Sequence, residues 1–584
     1  MDQFKEHIIK LLKKETKLSD INLEIPPSSE LGDYAFPCFV LSKKYKKNPN
    51  EVAQELTKKI KLDKTIKEVK ATGPYLNFFV NKEKLSEDVL RKISNEKEKY
   101  GIQPKTNKTI LVEYPGPNTN KPLHLGHVRN ISLGYSLCNL LKANGHNVVV
   151  VNINNDRGIQ ICKSMLAYKK WGKNDSPETQ ENKKFSGHRK SKGFSSESKL
   201  KSDHFVGKYY VMFAKKSKEN PKLEDEAKEL LKKWEKRDKE TIELWKKMNK
   251  WALDGFKETY KKFDIKFQKE YFESSTYKKG KEIILDGLKK RVFKKDEDGA
   301  VFVDLNKQGY GNKILLRADG TSVYITQDIY LAKERYKDFK YDKSIYVVAT
   351  EQIYHFKVLF ETLKILKFPF ADKCYHFAYG MVNLTTGKMK SREGSVVDAD
   401  DLVNDMIKLA LKETKSRNKD IDEKELKKRA EKIAMGAIRF YILKYDSTKD
   451  FTFNPKESIS FEGETGPYLQ YTYARINSIL KKYNKKIENK ADTSLLKEKE
   501  ELELITTLSN FNDVVKTAGK NYKIHTITRY LLDLAQAFNN FYHTYPVLKA
   551  DEELKKARLL LISCVKQVIK NGLNLLGIDV LKRM

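Results

Sequence analysis

The chain has 584 residues, of which 39% are hydrophobic and 33% charged, and its 114 Lys and Arg against 79 Asp and Glu give a net charge of +35. This length predicts several domains with apolar cores. No apolar run approaches the ~18 residues that a membrane-spanning helix requires. Acidic Asp2 and Glu6 disfavour a secretory or organelle leader. We therefore expect a cytoplasmic protein that does not bind membranes, and the composition excludes an acidic disordered tail.

The net charge has two explanations. A strongly basic chain attracts polyanions, above all nucleic acid. Alternatively, the abundance of Lys, Asn, Ile and Tyr reflects a gene drawn from AT-rich codons. The charge alone does not decide between them. The five cysteines are scattered without a C-x-x-C pair, which predicts a reducing compartment and no zinc site.

Residues 1–103 predict a small α+β domain. Apolar residues at helical spacing indicate an amino-terminal helix: Phe4, Ile8, Leu11 and Leu12. The segment Ala71–Val80, with a Gly-Pro turn near its start, predicts a strand. Gly101–Pro104 is typical of a linker.

A β-loop-α-β unit follows the linker. Thr109–Tyr114 (TILVEY) predicts a buried strand, His124–Ala143 a helix that ends before Gly145, and His146–Ile153 a second strand. This unit is the building block of a doubly wound parallel sheet. The sequence therefore predicts an α/β, Rossmann-like catalytic core.

The remaining chain is mostly helical. Residues 172–206 are polar and predict a loop or insertion, and Lys222–Phe263 predicts one long helix. A strand-helix pattern returns from Val301 to Val397, and residues 402–584 are predicted to be almost wholly helical. The predicted domains are residues 1–103, residues 104–400 with an insertion at about 172–300, a helical connecting region at 401–462, and a helical domain at 463–584.

His124-Leu-Gly-His127 lies where a strand gives way to a helix. The unpaired N–H groups of a helix start attract anions, and Gly126 leaves room for a ligand to approach the backbone. Two imidazoles three residues apart share one helix face and can donate hydrogen bonds to a phosphate. The alternative is a pair of histidines that only cap the helix.

A basic loop, Gly387-Lys-Met-Lys-Ser-Arg-Glu-Gly394, lies about 260 positions downstream. Glycines at both ends suit a loop that closes over a triphosphate, and Lys388 and Lys390 would neutralise its charge. Alone, this segment is equally typical of a solvated lysine-rich loop. Together with the two histidines, it favours an ATP site.

These two motifs resemble the HIGH and KMSKS signatures of class I aminoacyl-tRNA synthetases, and the whole chain resembles the arginyl-tRNA synthetase family within that class. The segments that carry the resemblance are Gly32–Phe39, Gly73–Val80, Glu113–Asn130, Val151–Gln160, Ser322–Ile329, Val347–Phe356 and Gly463–Ile476.

The resemblance implies arginine–tRNA ligase activity. ATP, bound with Mg²⁺, would activate L-arginine to arginyl adenylate, and the arginyl group would pass to the 2′-hydroxyl of the terminal adenosine of tRNA(Arg), with release of AMP and pyrophosphate. It further implies that tRNA is needed already for activation, that the amino-terminal domain contacts the tRNA elbow, that the carboxy-terminal helices bind the anticodon, and that the protein is a monomer.

The resemblance also assigns an amino-acid pocket, whose residues are Glu113, Asn118, Tyr324, Asp328 and Gln352. A guanidinium cation needs planar, acceptor-rich recognition, and carboxylates, a hydroxyl and amides supply it. Each residue has an ordinary alternative: Tyr324 as a core aromatic, Asp328 as a helix cap, and Glu113 as an exposed carboxylate at a strand end.

The basic loop departs from the class pattern. Ser391 stands where KMSKS has its second lysine, and the resemblance places Lys121, just before the first histidine, as its substitute. The catalytic residues are therefore expected to be His124, His127, Lys121 and Lys388. Arg157 replaces the family's usual tryptophan, and the resemblance transfers no site residue into 172–300.

Aromatic side chains in the carboxy-terminal helices could stack on anticodon bases, or pack in the helical core: Tyr468, Tyr471, Tyr473, Phe541 and Tyr542. Other readings of the whole chain are a different class I synthetase, a small adenylyltransferase, and a non-catalytic synthetase-like RNA-binding protein. The extra domains count against an adenylyltransferase. The intact histidine pair counts against a non-catalytic protein.

Overall fold

The structure is a computed structural model that describes residues 2–172, 175–177, 200–384, 397–417 and 421–584. It comprises two compact units. One contains Met1–Pro104, Glu413–Phe440 and Glu457–Met584, and the other contains Lys105–Lys412 and Tyr441–Lys456. No described helix is both long and apolar enough to span a lipid bilayer.

The amino-terminal segment folds as an α+β domain. Its elements are α1 (Asp2–Thr16), β1 (Tyr34–Pro37), α2 (Phe39–Tyr45), α3 (Pro49–Lys59), β2 (Ile66–Thr72), β3 (Tyr75–Val80) and α4 (Lys82–Glu96). The antiparallel sheet has the order β1-β3-β2. The predicted Gly-Pro turn and the strand after it are confirmed, since Gly73, at φ +57°, turns the chain into β3, whereas Ala71 and Thr72 belong to β2, which was not predicted.

The segment that follows builds a parallel sheet with helices around it. Its first elements are β4 (Thr109–Glu113), α5 (Leu125–Ala143), β5 (Asn147–Asn154), α6 (Ile159–Trp171), α7 (Ser202–Glu219), α8 (Lys222–Glu235), α9 (Lys239–Lys262), β6 (Lys269–Phe272) and α10 (Glu273–Thr276). The next are α11 (Lys279–Lys289), β7 (Lys294–Lys295), β8 (Val301–Leu305), β9 (Gly311–Leu316), α12 (Tyr324–Phe339), β10 (Lys343–Ala349), α13 (Ile353–Ile365), β11 (Cys374–Tyr379), β12 (Val382–Leu384) and α14 (Ala399–Arg417).

The five-stranded sheet has the order β11-β10-β4-β5-β6, and every neighbouring pair is parallel. This confirms the Rossmann-like core. The buried strand β4 lies at its centre, with Ile110 beside Val148 and Lys343. A parallel sheet aligns the carboxyl ends of its strands along one edge, so the loops after β4, β5, β6 and β10 meet there.

The remaining elements are α15 (Glu423–Leu443), β13 (Phe451–Phe453), α16 (Pro455–Ser458), α17 (Gly466–Tyr483), α18 (Lys499–Ser509), α19 (Phe511–Asn521), α20 (His525–Thr544) and α21 (Glu552–Leu575). Short 3-10 helices are Ser29–Leu31, Lys97–Lys99, Asn306–Gln308, Thr350–Gln352, Ala371–Lys373 and Thr493–Leu495. The carboxy-terminal domain is all-α, as predicted. Helix α4 packs against α18 and α21, and the Tyr100 hydroxyl donates to the Leu508 carbonyl at 3.0 Å.

Two predictions in the middle of the chain are wrong. The predicted long helix over Lys222–Phe263 is two helices, α8 and α9, because Arg237 adopts φ +62° and Asp238 caps α9. Residues 202–206, predicted as loop, begin α7, where Phe205 and Val206 are buried. Most of the polar segment 172–206, including residues 178–199, lies outside the described residues.

Arg129 on α5 fixes the chain that borders the end of the sheet. Its guanidinium is 1% exposed and donates to the carbonyls of Met381 (2.7 Å), Ser447 (2.9 Å) and Lys449 (2.6 Å). It also lies 4.7 Å from the centre of the Phe451 ring. This one side chain thereby fastens the β12–β13 strand pair to α5.

We expect Arg129→Met to lower the free energy of unfolding by about 2–4 kcal/mol, because it removes three charge-assisted hydrogen bonds and leaves the carbonyls without that donor. Urea unfolding measures the change. Lys142→Gln, on the exposed side of the same helix, is the control and should change stability by no more than about 0.5 kcal/mol. Equal stability of Arg129→Met and the control would contradict this role.

Candidate active site

A cavity of about 1020 Å³ opens at the carboxyl edge of the parallel sheet. The sequence-predicted residues that line it are Glu113, Asn118, His124, Gly126, His127, Tyr324, Asp328 and Gln352. They come from the ends of β4 and β10 and from the first turns of α5 and α12. The tertiary structure thus brings these predicted residues of the phosphate and amino-acid sites into one cavity, whereas Lys121 is not among the residues that line it.

The two histidines cap α5 reciprocally. The Gly126 N–H donates to Nδ1 of His124 at 3.2 Å, and the His124 N–H donates to Nδ1 of His127 at 3.1 Å. Each Nδ1 is therefore an acceptor, and each neutral ring carries its proton on Nε2. The capping alternative and the phosphate-site prediction are compatible, because Nδ1 serves the helix and Nε2–H is left to donate.

Burial and the nearby Lys121 ammonium keep both rings neutral. Burial, with Lys121 adding to it, lowers the pKa of His124 to about 4. Burial, with the charges of His124 and Lys121 as smaller causes, lowers the pKa of His127 well below its usual range. Burial also lowers the pKa of Lys121. The histidines therefore offer hydrogen-bond donors, and Lys121 the positive charge, near neutral pH.

Gly126 has a steric role that was not predicted from the sequence. A Cβ at this position would lie 3.0 Å from Cε1 of His124, tighter than ordinary van der Waals contact. Glycine therefore makes room for the His124 ring to fold back over the helix start.

The basic loop lies outside the described residues, and with it Lys388, Lys390 and Ser391. The chain that follows it pairs with the histidine motif. The Leu125 N–H donates to the Val397 carbonyl at 2.8 Å, and the Ala399 N–H donates to the Leu123 carbonyl at 2.9 Å. The described end of this segment is therefore fixed beside the anion site.

Carboxylates lie elsewhere in the same cavity. Glu113, at the end of β4, is 8% exposed and forms an ion pair with the buried Arg335 on α12. Asp328 lies 2.7 Å from Nε2 of His355. The Asp328 carboxylate, against opposing burial, raises the pKa of His355. Both predicted pocket carboxylates thus already have a basic partner, which holds each of them in place.

The other predicted pocket residues are more accessible. Tyr324, the first residue of α12, is 78% exposed, so the alternative that it is a core aromatic is wrong. Gln352 is exposed in the 3-10 helix that follows β10. Asn118 is exposed and bridges to Asn155 beside it. All three can reorient toward a ligand.

Sequence reasoning missed Glu273. This residue begins α10, directly after β6, and it lines the cavity at 8% exposure. Burial raises the pKa of Glu273 to about 7, although Arg157, 3.9 Å away, opposes the shift. Its position at the end of a parallel strand could have marked Glu273 as a site residue. However, β6 has only four residues, and it lies in residues 172–300, to which the family resemblance transferred no site residue.

The five carboxy-terminal aromatic residues differ in their surroundings. Tyr473 and Phe541 are buried at 6% and 0% exposure, so for these two the core-packing alternative is correct and base stacking is wrong. Tyr471 and Tyr542 line a second cavity of about 900 Å³ in the helical unit, with Arg417, Arg429, Arg475 and Arg583. Tyr468 accepts a hydrogen bond from Asn539 at 2.7 Å.

Three family models match this chain. They are described as "tRNA synthetases class I (R), catalytic domain" over residues 89–455, "DALR anticodon binding domain" over residues 469–584, and "Arginyl tRNA synthetase N terminal domain" over residues 1–80. The chain belongs to the class I arginyl-tRNA synthetase family. The resemblance of the two signature motifs to this family is thereby confirmed.

Relatives match this arginyl-tRNA synthetase family member over nearly the full length. The arginine–tRNA ligase of Treponema denticola is 47% identical over 577 residues, 97% of this chain and 95% of the relative. The arginine–tRNA ligase of Parabacteroides distasonis is 42% identical, over 99% of this chain and 98% of the relative. The structure of Thermus thermophilus arginyl-tRNA synthetase superposes with a TM-score of 0.82 at 26% identity, over 99% of both chains.

We expect His124→Asn to reduce the acid sensitivity of this family member. Folding lowers the pKa of His124 from 6.5 to about 4, so the unfolded chain takes up the proton first as pH falls. The folded state therefore loses up to about 3 kcal/mol between pH 6.5 and 4, at 1.36 kcal/mol per pKa unit. Asparagine keeps a cap acceptor and does not titrate. Urea unfolding at pH 7 and 4.5 should show a smaller loss in the variant; an equal loss would contradict the prediction.

Proposed function

We infer that this chain is an arginine–tRNA ligase, which joins L-arginine to tRNA with the consumption of ATP. The observation that carries this inference is the composition of the cavity, where a neutral histidine pair at a helix start shares one space with four carboxylates, those of Glu113, Glu273, Asp328 and Glu351. An anion site and a cation site in one cavity suit a nucleotide and a guanidinium amino acid.

The first chemical step joins arginine and ATP. The α-carboxylate of arginine attacks the α-phosphorus of MgATP in line, pyrophosphate leaves, and arginyl adenylate forms. The Nε2–H groups of His124 and His127 donate to the phosphate oxygens as charge develops, and Lys121 adds its positive charge. Lys388 and Lys390, which are assigned by the sequence motif alone, neutralise charge on the triphosphate. No protein nucleophile is needed, because position and electrostatics suffice.

Specificity for arginine depends on the carboxylates. Glu113, Asp328 and Glu273 present negative charge to the guanidinium, with Tyr324 and Gln352 as neutral partners and Asn118 near the α-amino and carboxylate groups. A neutral analogue would lose the charge-assisted hydrogen bonds that a guanidinium makes to these carboxylates, which costs binding energy. The arrangement therefore favours arginine over citrulline.

The second step needs tRNA. The arginyl group passes from the adenylate to the terminal adenosine of tRNA(Arg), and AMP leaves. The second cavity, with aromatic rings beside arginines, suits unpaired bases that stack on Tyr471 or Tyr542 next to a phosphate backbone.

The activity is tested by charging tRNA(Arg) with labelled arginine and ATP. We expect arginyl-tRNA from the wild-type chain, and a decrease of about 10²–10³-fold in kcat for His124→Asn, because one donor to the phosphate is lost while the helix cap is kept. Charging with lysine in place of arginine would reject the specificity, and full activity of His124→Asn would reject the phosphate role.

Glu273 predicts a pH dependence of arginine binding. Its pKa of about 7 means that the carboxyl is neutral below that pH and charged above it. The KM for arginine should therefore fall by about tenfold or more from pH 6 to pH 8. A tenfold change in affinity corresponds to about 1.4 kcal/mol, which is near the contribution of one hydrogen bond to a charged group. Glu273→Gln should weaken this dependence, with Glu282→Gln on α11 as the control. An unchanged pH profile would contradict the assignment.

Tyr471 provides a separate test of the tRNA cavity. Tyr471→Ala should raise the KM for tRNA by about tenfold, since base stacking on an aromatic ring contributes about 1–3 kcal/mol. The KM for ATP should not change. Tyr483→Ala, on the same helix but outside the cavity lining, is the matched control. Equal KM values for tRNA in the two variants would contradict stacking.

A further inference from the structure

Helix α7 lies directly against the chain that precedes the histidine pair. A Cβ at Gly207 would lie 2.6 Å from Cδ of Pro122 and 3.7 Å from Cα of Lys121. The helix backbone therefore touches the loop that carries Lys121 and leads to His124. Any displacement of α7 would be transmitted to the anion site.

The first turn of α14 is joined to α9 and to the chain before α7 through the carboxylate of Asp400. This side chain is 8% exposed and lies 2.7 Å from Nζ of Lys201 and 2.6 Å from Nζ of Lys262. It also accepts a hydrogen bond from the Thr259 hydroxyl at 3.0 Å. These contacts, with burial opposing them, lower the pKa of Asp400 far below its usual range, so it remains a carboxylate.

A second carboxylate completes the junction. Asp203, on the first turn of α7, is 0% exposed and lies 3.1 Å from the same Lys201 ammonium. A Cβ at Gly255 of α9 would lie 2.4 Å from this carboxylate, so α7 and α9 meet closely there. The ammonium groups of Lys201 and Lys262 already lie between the acidic groups, so protein cations balance this cluster.

The junction continues to the segment that pairs with the histidine motif. Nε2 of His204 lies 3.3 Å from Oδ2 of Asp398. The other carboxylate oxygen of Asp398, Oδ1, accepts hydrogen bonds from the N–H groups of Asp400 at 2.8 Å and Asp401 at 3.1 Å. The backbone of Asp398 bridges to His124 in antiparallel fashion. One chain of contacts thus runs from α7 through Asp398 to the start of α5.

We propose that Lys201, His204 and Asp400 are positioning residues for the phosphate chemistry: they hold Val397–Asp400 and the Lys121 loop in one geometry against the His124–His127 helix start. The inference rests on the proposed function, because it assigns ATP to that helix start. These residues touch no reacting atom. They act through the backbone pairs that Val397 and Ala399 make on either side of His124.

Lys201→Met and Asp400→Asn test the proposal in the full-length chain. Each should raise the KM for ATP about tenfold or more and lower kcat, while the KM for arginine changes less than twofold, because the amino-acid residues lie on other elements. Lys201→Arg keeps a cation at the junction and should restore most of the activity. Asp254→Asn, which removes exposed ion pairs on the same helix α9, is the control and should leave all constants unchanged.

Gly207→Ala is an independent variant that leaves the ionic contacts intact. Its added methyl group would press on Pro122, so the same selective rise in the KM for ATP is expected. If Asp400→Asn does not fold, Gly207→Ala takes its place in the test. Unchanged ATP constants in Lys201→Met and Gly207→Ala, or equal losses for ATP and arginine, would overturn the proposal.

The affinity for MgATP, measured by calorimetry without arginine or tRNA, separates this proposal from the proposed function. A wild-type chain that binds MgATP but does not charge tRNA with arginine would reject the function. Weaker MgATP binding in Lys201→Met than in Asp254→Asn would still support the positioning role, and equal affinities would reject it.

Discussion

The reciprocal capping of His124 and His127 is the interaction on which the site depends. Each ring gives Nδ1 to the start of α5, which fixes its tautomer and, as far as the described residues show, leaves Nε2–H available to donate. Burial keeps both rings neutral, so the helix start offers donors without the cost of two buried charges. In the proposed reaction, Lys121 adds positive charge for the triphosphate.

This arrangement needs the sheet behind it. Because every neighbouring strand pair is parallel, the helix start after β4 and the chain ends after β5, β6 and β10 meet at one edge. Glu113, Glu273 and Gln352 are far apart in sequence but line the same cavity for that reason. The basic partners of Glu113 and Asp328 hold these carboxylates in place before any substrate arrives.

The sequence predicted the parallel core correctly, and eight of its candidate site residues line one cavity at the edge of that core, because both results depend on local patterns. A buried strand, a turn and a capped, largely buried helix follow one another in a continuous segment, as at Thr109–Ala143. The strand β2 before the Gly73 turn and the break at Arg237 were missed, and the break depends on one residue with positive φ inside a continuous helical pattern. The aromatic residues show the same limit, since helical spacing is identical for a buried ring such as Phe541 and an accessible one such as Tyr471.

The sequence by itself determined the chemistry: a histidine pair at a helix start, a basic loop, and acidic and amide residues suited to a guanidinium. It determined the family as well, because those motifs are specific and contiguous. Only the tertiary structure decided which residues support them. Glu273, Lys201, His204 and Asp400 lie in no motif, and they reach the site through contacts between elements that are distant along the chain. Side chains that act by long-range packing leave no local pattern, so the sequence could not reveal them.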